Sequence, residues 1–194
     1  NHCIIAVKVK DETQAPTVIQ HAKFGRLLIF DPTAEATPVG DLPTYLQGSL
    51  ALIDSKDTEA LVQMPVTPPD MNQLHRTAEV QLGADGSMTG AIEERAGGQV
   101  AASFRTQFRE LSRADYSTMV ERWLSAGVPG SKASRAEPAD DATDGKFALS
   151  VAFAAPSYAQ LMQNRLLVFR PAIVSRREAL SPLKVSSVER SRTP

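Results

Sequence analysis

Short apolar stretches separated by polar connections dominate the first third of the chain, and this pattern is typical of β-strands. A turn-rich segment over residues 32–48, marked by prolines and glycines, interrupts them and is expected to run along a sheet edge. We predict that the first two strands pair antiparallel through the polar connection 11–26 and form part of a sheet. The predicted strands cover residues 3–10, 26–31, 49–53 and 59–64.

The chain divides into three parts by composition. Three prolines between residues 65 and 69 interrupt any regular element and predict a domain boundary near residue 70. We therefore expect a first unit over 1–70 and a second unit over 71–180. From residue 181 to the end, Ser, Pro, Lys and Arg occur without periodicity, which predicts a disordered tail over 181–194.

The second unit combines a hairpin, two helices and further strands. Residues 78–93 alternate in polarity around Asp85-Gly86, where the glycine accommodates a positive φ angle. Apolar residues at helical spacing predict amphipathic helices over 98–111 and 113–125, and two strands follow at 146–154 and 165–170. Helices on one face of a mostly antiparallel sheet would bury all the apolar faces, so we predict an α+β fold.

The second of these helices has the clearest pattern in the chain. Ser112 is the expected N-cap, with Asp115 three residues later, and Gly127 is expected just beyond the helix end. Because the apolar side chains share one face, this helix should pack on the core, and Trp123 should be largely buried. The face comprises Tyr116, Met119, Val120, Trp123 and Leu124.

Composition and charge restrict the class of partner. The chain has 194 residues, of which 42% are hydrophobic and 22% charged, and this is ordinary for a globular protein. A net charge of -1 gives no general attraction to nucleic acid or to an anionic membrane. No apolar run approaches the ~18 to 20 residues that cross a bilayer. We expect neither a nucleic-acid partner nor a membrane span.

Metal and cofactor sites are not expected. One cysteine and three scattered histidines have no zinc-ligand spacing. The acidic stretch 138–145 lacks the alternating ligands and the closing glutamate of a calcium loop, and is predicted to be a solvated hairpin connection. Gly97-Gly98 is followed by no Lys-Ser/Thr, which favours a turn into the next helix over a phosphate-binding loop.

His2 and Asp31 provide the main candidate chemistry. If the strands that follow His2 and precede Asp31 pair antiparallel, the two side chains lie near the same end of the sheet. A carboxylate there can hold an imidazole in one tautomer and stabilise its charged form, as a catalytic triad requires. Strand alternation directs Cys3 to the face opposite His2, so the single cysteine is a poor nucleophile for it. The alternative is a strand-end histidine and an Asp-Pro turn without a catalytic role.

Several motifs in the first unit occur in a fixed order after Asn1-His2 and its apolar strand. They are Phe30-Asp31-Pro32-Thr33, Pro38-Val39-Gly40-Asp41-Leu42-Pro43 and Leu46-Gln47-Gly48. Together these motifs resemble the second half of a bacterial transglutaminase-like domain of the papain-like cysteine hydrolase superfamily. Residues after about 70 resemble the domain that follows this core in exported bacterial multidomain proteins.

The resemblance implies a function and a location. In the family a cysteine attacks an amide carbonyl, and a histidine and an aspartate complete the triad; His2 and Asp31 match these two residues. The family cysteine lies upstream of the histidine, and with no initial Met or signal pattern we expect this chain to be a piece of a longer protein. The resemblance implies a protein or peptide substrate for that parent and a periplasmic or exported location.

The chain also departs from the family pattern. An acidic residue and two aromatic residues of the family correspond here to Ala34, Ala36 and Thr44, so bulk and charge that line the cleft are missing. We expect the chain alone to be inactive, because a base and its orienting carboxylate have no thiol to activate. Two alternatives stay open: a non-catalytic binding or scaffolding module of the cell envelope, and a degenerate or artificially cut chain.

Overall fold

The structure, a computed structural model, describes residues 2–55, 58–140, 145–163 and 165–170. Two α-helices and mostly antiparallel strands make up these residues, which confirms the predicted α+β class. The predicted disordered tail, 181–194, lies outside the described residues. The sheets of the two predicted units are separate, and the domain boundaries at residues 70 and 180 stay predictions.

A three-stranded antiparallel sheet begins the chain. Its strands are β1 (Ile5–Lys8), β2 (Val18–His21) and β3 (Gly25–Phe30), in the order β1-β3-β2. The predicted pairing of the first and second apolar stretches is confirmed, because β1 pairs antiparallel with β3. The sequence pattern did not indicate β2, which lies in the connection between them. Buried His21 closes the β2–β3 turn by accepting hydrogen bonds from the backbone N–H groups of Lys23 and Phe24, each at 3.2 Å.

A second, separate hairpin follows the turn-rich segment, in agreement with the two short strands predicted there. It consists of β4 (Leu50–Ser55) and β5 (Thr58–Gln63), which pair antiparallel. The core of this part of the chain is small: Leu27 and Ile29 of β3 pack with Leu42 and Met64, all nearly inaccessible to solvent. Leu42 belongs to the turn-rich segment, so that segment packs onto the first sheet.

The larger core lies in the second unit, between a four-stranded antiparallel sheet and two helices. The elements are β6 (Leu74–Leu82), β7 (Met88–Ala96), α1 (Gly98–Glu110), α2 (Arg113–Gly127), β8 (Lys132–Asp140) and β9 (Phe147–Ala155). The sheet has the order β6-β7-β9-β8, and each neighbouring pair is antiparallel. Alternate residues of β9 face the helices, and Phe147, Val151 and Phe153 are almost completely buried there.

The prediction of a solvated connection over 138–145 was wrong in part, because Pro138–Asp140 belong to β8. Pro138 lies opposite Leu149 of β9, and β8 is the edge strand of the sheet. A proline has no N–H to donate to a neighbouring strand, and at an edge strand that position can face the side that has no neighbour. Residues 141–144 lie outside the described residues.

Helix α2 confirms its predicted start but not its predicted end. The Ser112 hydroxyl accepts a hydrogen bond from the Asp115 backbone N–H at 3.2 Å, as an N-cap does. Gly127 is the last helical residue, and the chain leaves the helix at Val128. Trp123 is partly buried, packs against the core of the second unit as predicted for this face of the helix, and lines a cavity.

A small third hairpin packs on the turn between β6 and β7. Its strands are β10 (Gln160–Met162) and β11 (Leu166–Val168). The backbone N–H groups of Tyr158 and Ala159 donate to the Gly86 carbonyl at 3.0 and 2.9 Å. Gly86 has a φ of +85°, and a Cβ atom there would lie 2.5 Å from the Ala159 carbonyl oxygen. Glycine at this turn therefore permits both the backbone conformation and the close approach.

Helix α1 holds the turn-rich segment against the second unit. The buried Arg105 side chain donates to the Ala36 carbonyl at 2.6 Å and to Asp140 Oδ1 at 2.5 Å. Gln99 donates through Nε2 to Asp41 Oδ2 at 2.8 Å. Because one of these contacts involves a buried guanidinium, α1 fixes the position of the turn-rich segment, which contributes Thr33 and Tyr45 to the surroundings of Asp31.

Candidate functional site

The candidate site lies where β1 begins and β3 ends. The antiparallel register pairs Ile5 with Phe30, so the residues just before β1 and just after β3 are neighbours at one sheet edge. His2 and Asp31 occupy these positions. Their side chains are in contact, with 2.7 Å between His2 Nε2 and Asp31 Oδ2. The predicted His2–Asp31 contact is therefore confirmed, whereas its catalytic role stays a prediction.

Asp31 is surrounded by hydrogen-bond donors. Its Oδ1 accepts from the Thr33 backbone N–H at 2.9 Å and from the Thr33 hydroxyl at 2.7 Å. Its Oδ2 accepts from His2 and from the Tyr45 hydroxyl, the latter at 3.0 Å. Burial of the carboxylate raises its pKa, but the hydrogen bonds from Thr33, His2 and Tyr45 outweigh burial and lower the pKa to about 2. Asp31 is therefore ionised at neutral pH.

The charge on Asp31 determines the tautomer of His2. An ionised carboxylate can only accept hydrogen bonds, so His2 Nε2 must carry the proton in their contact. In neutral imidazole the other nitrogen, Nδ1, then has the free lone pair that a base requires. The His2 side chain is 39% exposed, while that of Asp31 is inaccessible. The ring therefore has one nitrogen held by the protein and an exposed portion that a nucleophile can approach.

Tyr45 is a site residue that the sequence reasoning missed. Besides its bond to Asp31, its ring lies 6.3 Å from the His2 ring, centroid to centroid, at an angle of 70°. Partial burial of the hydroxyl and the Asp31 carboxylate raise the pKa of Tyr45, which keeps it a hydrogen-bond donor at neutral pH. The resemblance implies an aromatic residue at the position of Thr44. Tyr45 follows directly, and this neighbouring aromatic was the one feature of the sequence that could have indicated its role.

The motif over residues 38–48 serves to shape the turn-rich segment. Asp41 is buried, and its Oδ1 accepts from the Leu42 backbone N–H at 2.8 Å and from the Thr67 hydroxyl at 2.7 Å. Gln47 bridges the same segment, since it donates to the Leu42 carbonyl and accepts from the Thr67 backbone N–H. These bonds satisfy polar groups that the turns would otherwise leave buried and unpaired. The motif thereby positions Tyr45, which lies within it.

An open cleft adjoins the candidate site. It has a volume of about 570 Å³ and lies between the turn-rich segment and α1. Thr33 and Tyr45, two of the three residues that hydrogen-bond to Asp31, line it. The three positions that depart from the family pattern also line it, so small side chains stand where the resemblance implies bulk. These are Ala34, Ala36 and Thr44.

Cys3 is exposed and follows His2 directly in the sequence. The predicted strand over 3–10 begins only at Ile5, so strand alternation does not extend to Cys3. Its assignment to the opposite face stays a prediction. Within the described residues, His, Cys, Asp and Glu side chains form no group of three or more suited to a metal ion.

No helix in the described part of the chain has the length and apolarity needed to cross a membrane. No family model matches the chain, and neither does any curated protein or solved structure.

Proposed function

We propose that His2 and Asp31 are the base and its orienting carboxylate in a transglutaminase-like Cys-His-Asp centre that acts on amide bonds. The observation that supports this proposal best is the 2.7 Å contact between His2 Nε2 and a buried, ionised Asp31. It leaves His2 Nδ1 available to accept a proton from a thiol. Tyr45 is a positioning residue, because it holds the carboxylate and acts on the ring only through it.

The proposed reaction is acyl transfer. A cysteine thiol transfers its proton to His2 Nδ1, and the thiolate sulfur attacks the carbonyl carbon of a glutamine side-chain amide or a peptide bond. His2 returns the proton to the leaving amine or ammonia, and a thioester remains on the cysteine. Water or a second amine then cleaves the thioester and regenerates the thiol. Asp31 stabilises the imidazolium formed in the first step.

The nucleophile is proposed to come from a segment other than this chain. Cys3 is the only cysteine among the 194 residues, and it stands immediately after His2, whereas the family cysteine precedes the histidine. We propose that the segment preceding His2 in a longer parent protein supplies the thiol. As part of the same proposal, the parent is periplasmic or exported and acts on a protein or peptide substrate.

The test is reconstitution of activity. The chain is expressed together with the segment that the proposal places before it in a longer parent protein, and hydrolysis of glutamine-bearing peptides and amine incorporation are measured. We expect His2→Gln to abolish activity and Asp31→Asn to reduce kcat by several orders of magnitude, since an asparagine can hold the wrong tautomer. The matched control is His75→Gln, because His75 is an exposed histidine in β6. Full activity in His2→Gln would refute the proposal.

A second candidate function is a non-catalytic binding or scaffolding module of the cell envelope. One observation favours it: Thr33 and Tyr45 satisfy both oxygens of Asp31 without His2. The aspartate could therefore be a turn-stabilising residue that His2 merely covers. Absence of activity in the reconstituted protein, with an intact His2–Asp31 contact, would support this function instead.

A further inference from the structure

A second cavity lies in the other unit, between its sheet and its two helices. Its volume is about 550 Å³, which is within the range of small-molecule sites. The side chains of α1 and α2 separate over β6 and β7, and apolar residues form most of the wall. Those residues include Val100, Phe104, Met119 and Trp123.

Two oppositely charged residues form an ion pair in the wall of this mostly apolar cavity. β7 directs alternate residues to the core, and Glu94 occupies a core-facing position between Ile92 and Ala96. Arg76 lies directly opposite Glu94 in the β6–β7 pairing and donates through Nε to Glu94 Oε1 at 2.5 Å. The side chains of Arg76 and Glu94 are only 20% and 6% exposed. Burial of two charges costs free energy that apolar residues at these positions would not require, so stability alone does not explain the pair.

The Arg76 guanidinium contacts Glu94 and Trp123, and its third nitrogen, Nη1, is available to a ligand. Its Nε and Nη2 atoms both bond to Glu94, and its Cζ lies 5.2 Å from the centre of the Trp123 ring. Within the described residues Nη1 has no protein acceptor, and the cavity that Arg76 lines supplies the space for one. The guanidinium therefore has a fixed orientation, and the two N–H groups of Nη1 can donate hydrogen bonds to a ligand.

The charge balance restricts what can bind. Arg76 and Glu94 cancel each other, and no other lining residue is charged. Burial, and then the Glu94 charge, raises the pKa of Tyr116 to about 12, so this wall residue is also neutral at pH 7. A cationic ligand would meet Arg76 and an anionic ligand would meet Glu94, each in a poorly solvated place. A neutral ligand with an acceptor oxygen avoids both penalties.

We propose that this cavity binds a neutral, mostly apolar molecule that carries a carbonyl group, with the carbonyl oxygen accepting from Arg76 Nη1 and the apolar body contacting Trp123, Met119 and Phe104. The site is independent of the His2–Asp31 centre, which lies in the other unit. The proposal therefore holds or fails separately from the proposed acyl-transfer function.

The only tryptophan of the chain is Trp123, so its fluorescence reports directly on the cavity. The probe is prodan, a neutral naphthyl ketone, added to the full 194-residue chain. We expect saturable 1:1 binding with quenching of Trp123 emission and a blue shift of prodan emission. The ketone-free analogue 2-(dimethylamino)naphthalene should bind roughly tenfold more weakly, because it lacks the acceptor for a charged donor.

Matched variants locate the binding. Met119→Arg places a charge in the cavity and should weaken prodan binding at least roughly tenfold. Ser117→Arg makes the same change on an exposed face of α2 and should have no effect. The double variant Arg76→Leu/Glu94→Leu removes the donor together with its buried charge partner, so the preference for the ketone over its analogue should disappear.

Three results with prodan and its analogue would overturn the proposal. They are the absence of saturable prodan binding, equal binding by Met119→Arg and the native chain, and equal affinity of the native chain for the ketone and its analogue. Tighter binding of the anionic probe 1-anilinonaphthalene-8-sulfonate than of prodan would also overturn it, because the site would then select anions. The comparison of ligands on the native chain needs no variant, so it decides the matter even if a substitution prevents folding.

Discussion

Thr33 donates two hydrogen bonds to the same oxygen of Asp31, one from its backbone N–H and one from its hydroxyl. This pair of bonds forms within a turn of three residues, so it fixes the carboxylate locally. The other oxygen, Oδ2, is thereby directed to His2 and Tyr45. Oδ1 of Asp31 therefore stabilises the turn, whereas Oδ2 contacts the other residues of the candidate site.

The first prediction concerns the Thr33 hydroxyl. Thr33→Val removes this donor with little change of shape, so the pKa of Asp31 should rise and the free energy of unfolding at pH 7 should fall by about 1 kcal/mol. Urea unfolding measures the stability, and NMR titration of the carboxylate measures the pKa. Thr33→Ser retains the hydroxyl and is the control. Equal stability of the valine variant and the native chain would contradict the role given to this bond.

The second prediction is a pH dependence of stability. Asp31 has a pKa of about 2 in the folded chain against an ordinary value of 3.8, so folding favours its ionised form. The resulting stabilisation is fully present above about pH 4 and is lost as the pH falls towards 2. Its size is on the order of 2 kcal/mol, from the difference between the two pKa values.

Chemical denaturation between pH 2 and pH 6 tests this pH dependence. The native chain should lose stability relative to Asp31→Asn as the pH falls from 4 to 2, since asparagine does not titrate. Parallel stability curves for the two proteins would show that Asp31 is not stabilised as an anion in the folded state.

The sequence pattern was sufficient to predict those elements whose conformation depends only on a few adjacent residues. The N-cap at Ser112 and the Asp85-Gly86 hairpin are examples, because side-chain capping and positive φ depend on a few adjacent residues. Strands β2 and β8 were missed for the opposite reason. β8 is polar and contains Pro138, and it is a strand because the apolar β9 pairs with it along its length. Partner residues far along the sequence determine such a strand.

The candidate site was predictable only in part. The contact of His2 with Asp31 follows from the pairing of two apolar strands, which the pattern revealed. Tyr45 reaches Asp31 only through the folded turn segment, and no periodicity indicates that path. The Arg76–Glu94 pair was not predictable in this way, because counting back evenly from Asp85-Gly86 pairs Arg76 with Arg95, whereas the observed register pairs it with Glu94.

A third prediction concerns Arg105, which joins α1 to the turn-rich segment. Its buried guanidinium donates to Asp140 and to the carbonyls of Ala36 and Lys146. Arg105→Met should lower the free energy of unfolding by about 3 kcal/mol, because it leaves a poorly solvated carboxylate and two carbonyls without this donor. Arg109→Met is the control. Arg109 also pairs with Asp140, but its side chain is 45% exposed, so the loss should stay below about 1 kcal/mol.

Equilibrium unfolding in urea compares the two arginine variants directly. Hydrogen exchange of the backbone N–H groups of Asp41 and Leu42 adds a local measurement, since the Arg105 contact holds the same segment. Faster exchange in Arg105→Met than in Arg109→Met is expected. An equal effect of both substitutions would mean that the contribution of Arg105 to the free energy of unfolding does not depend on its burial.

The last prediction is that the 194-residue chain alone neither hydrolyses glutamine-bearing peptides nor incorporates amines into them. Acyl transfer needs a thiol placed at His2 Nδ1, and the only cysteine, Cys3, is the exposed residue next to His2 in the sequence. Release of ammonia and incorporation of a fluorescent amine are the measurements, with Cys3→Ser as the matched variant. Both proteins should match the buffer blank. Activity in the native chain that disappears in Cys3→Ser would show that Cys3 is the nucleophile, and the proposed separate thiol would be wrong.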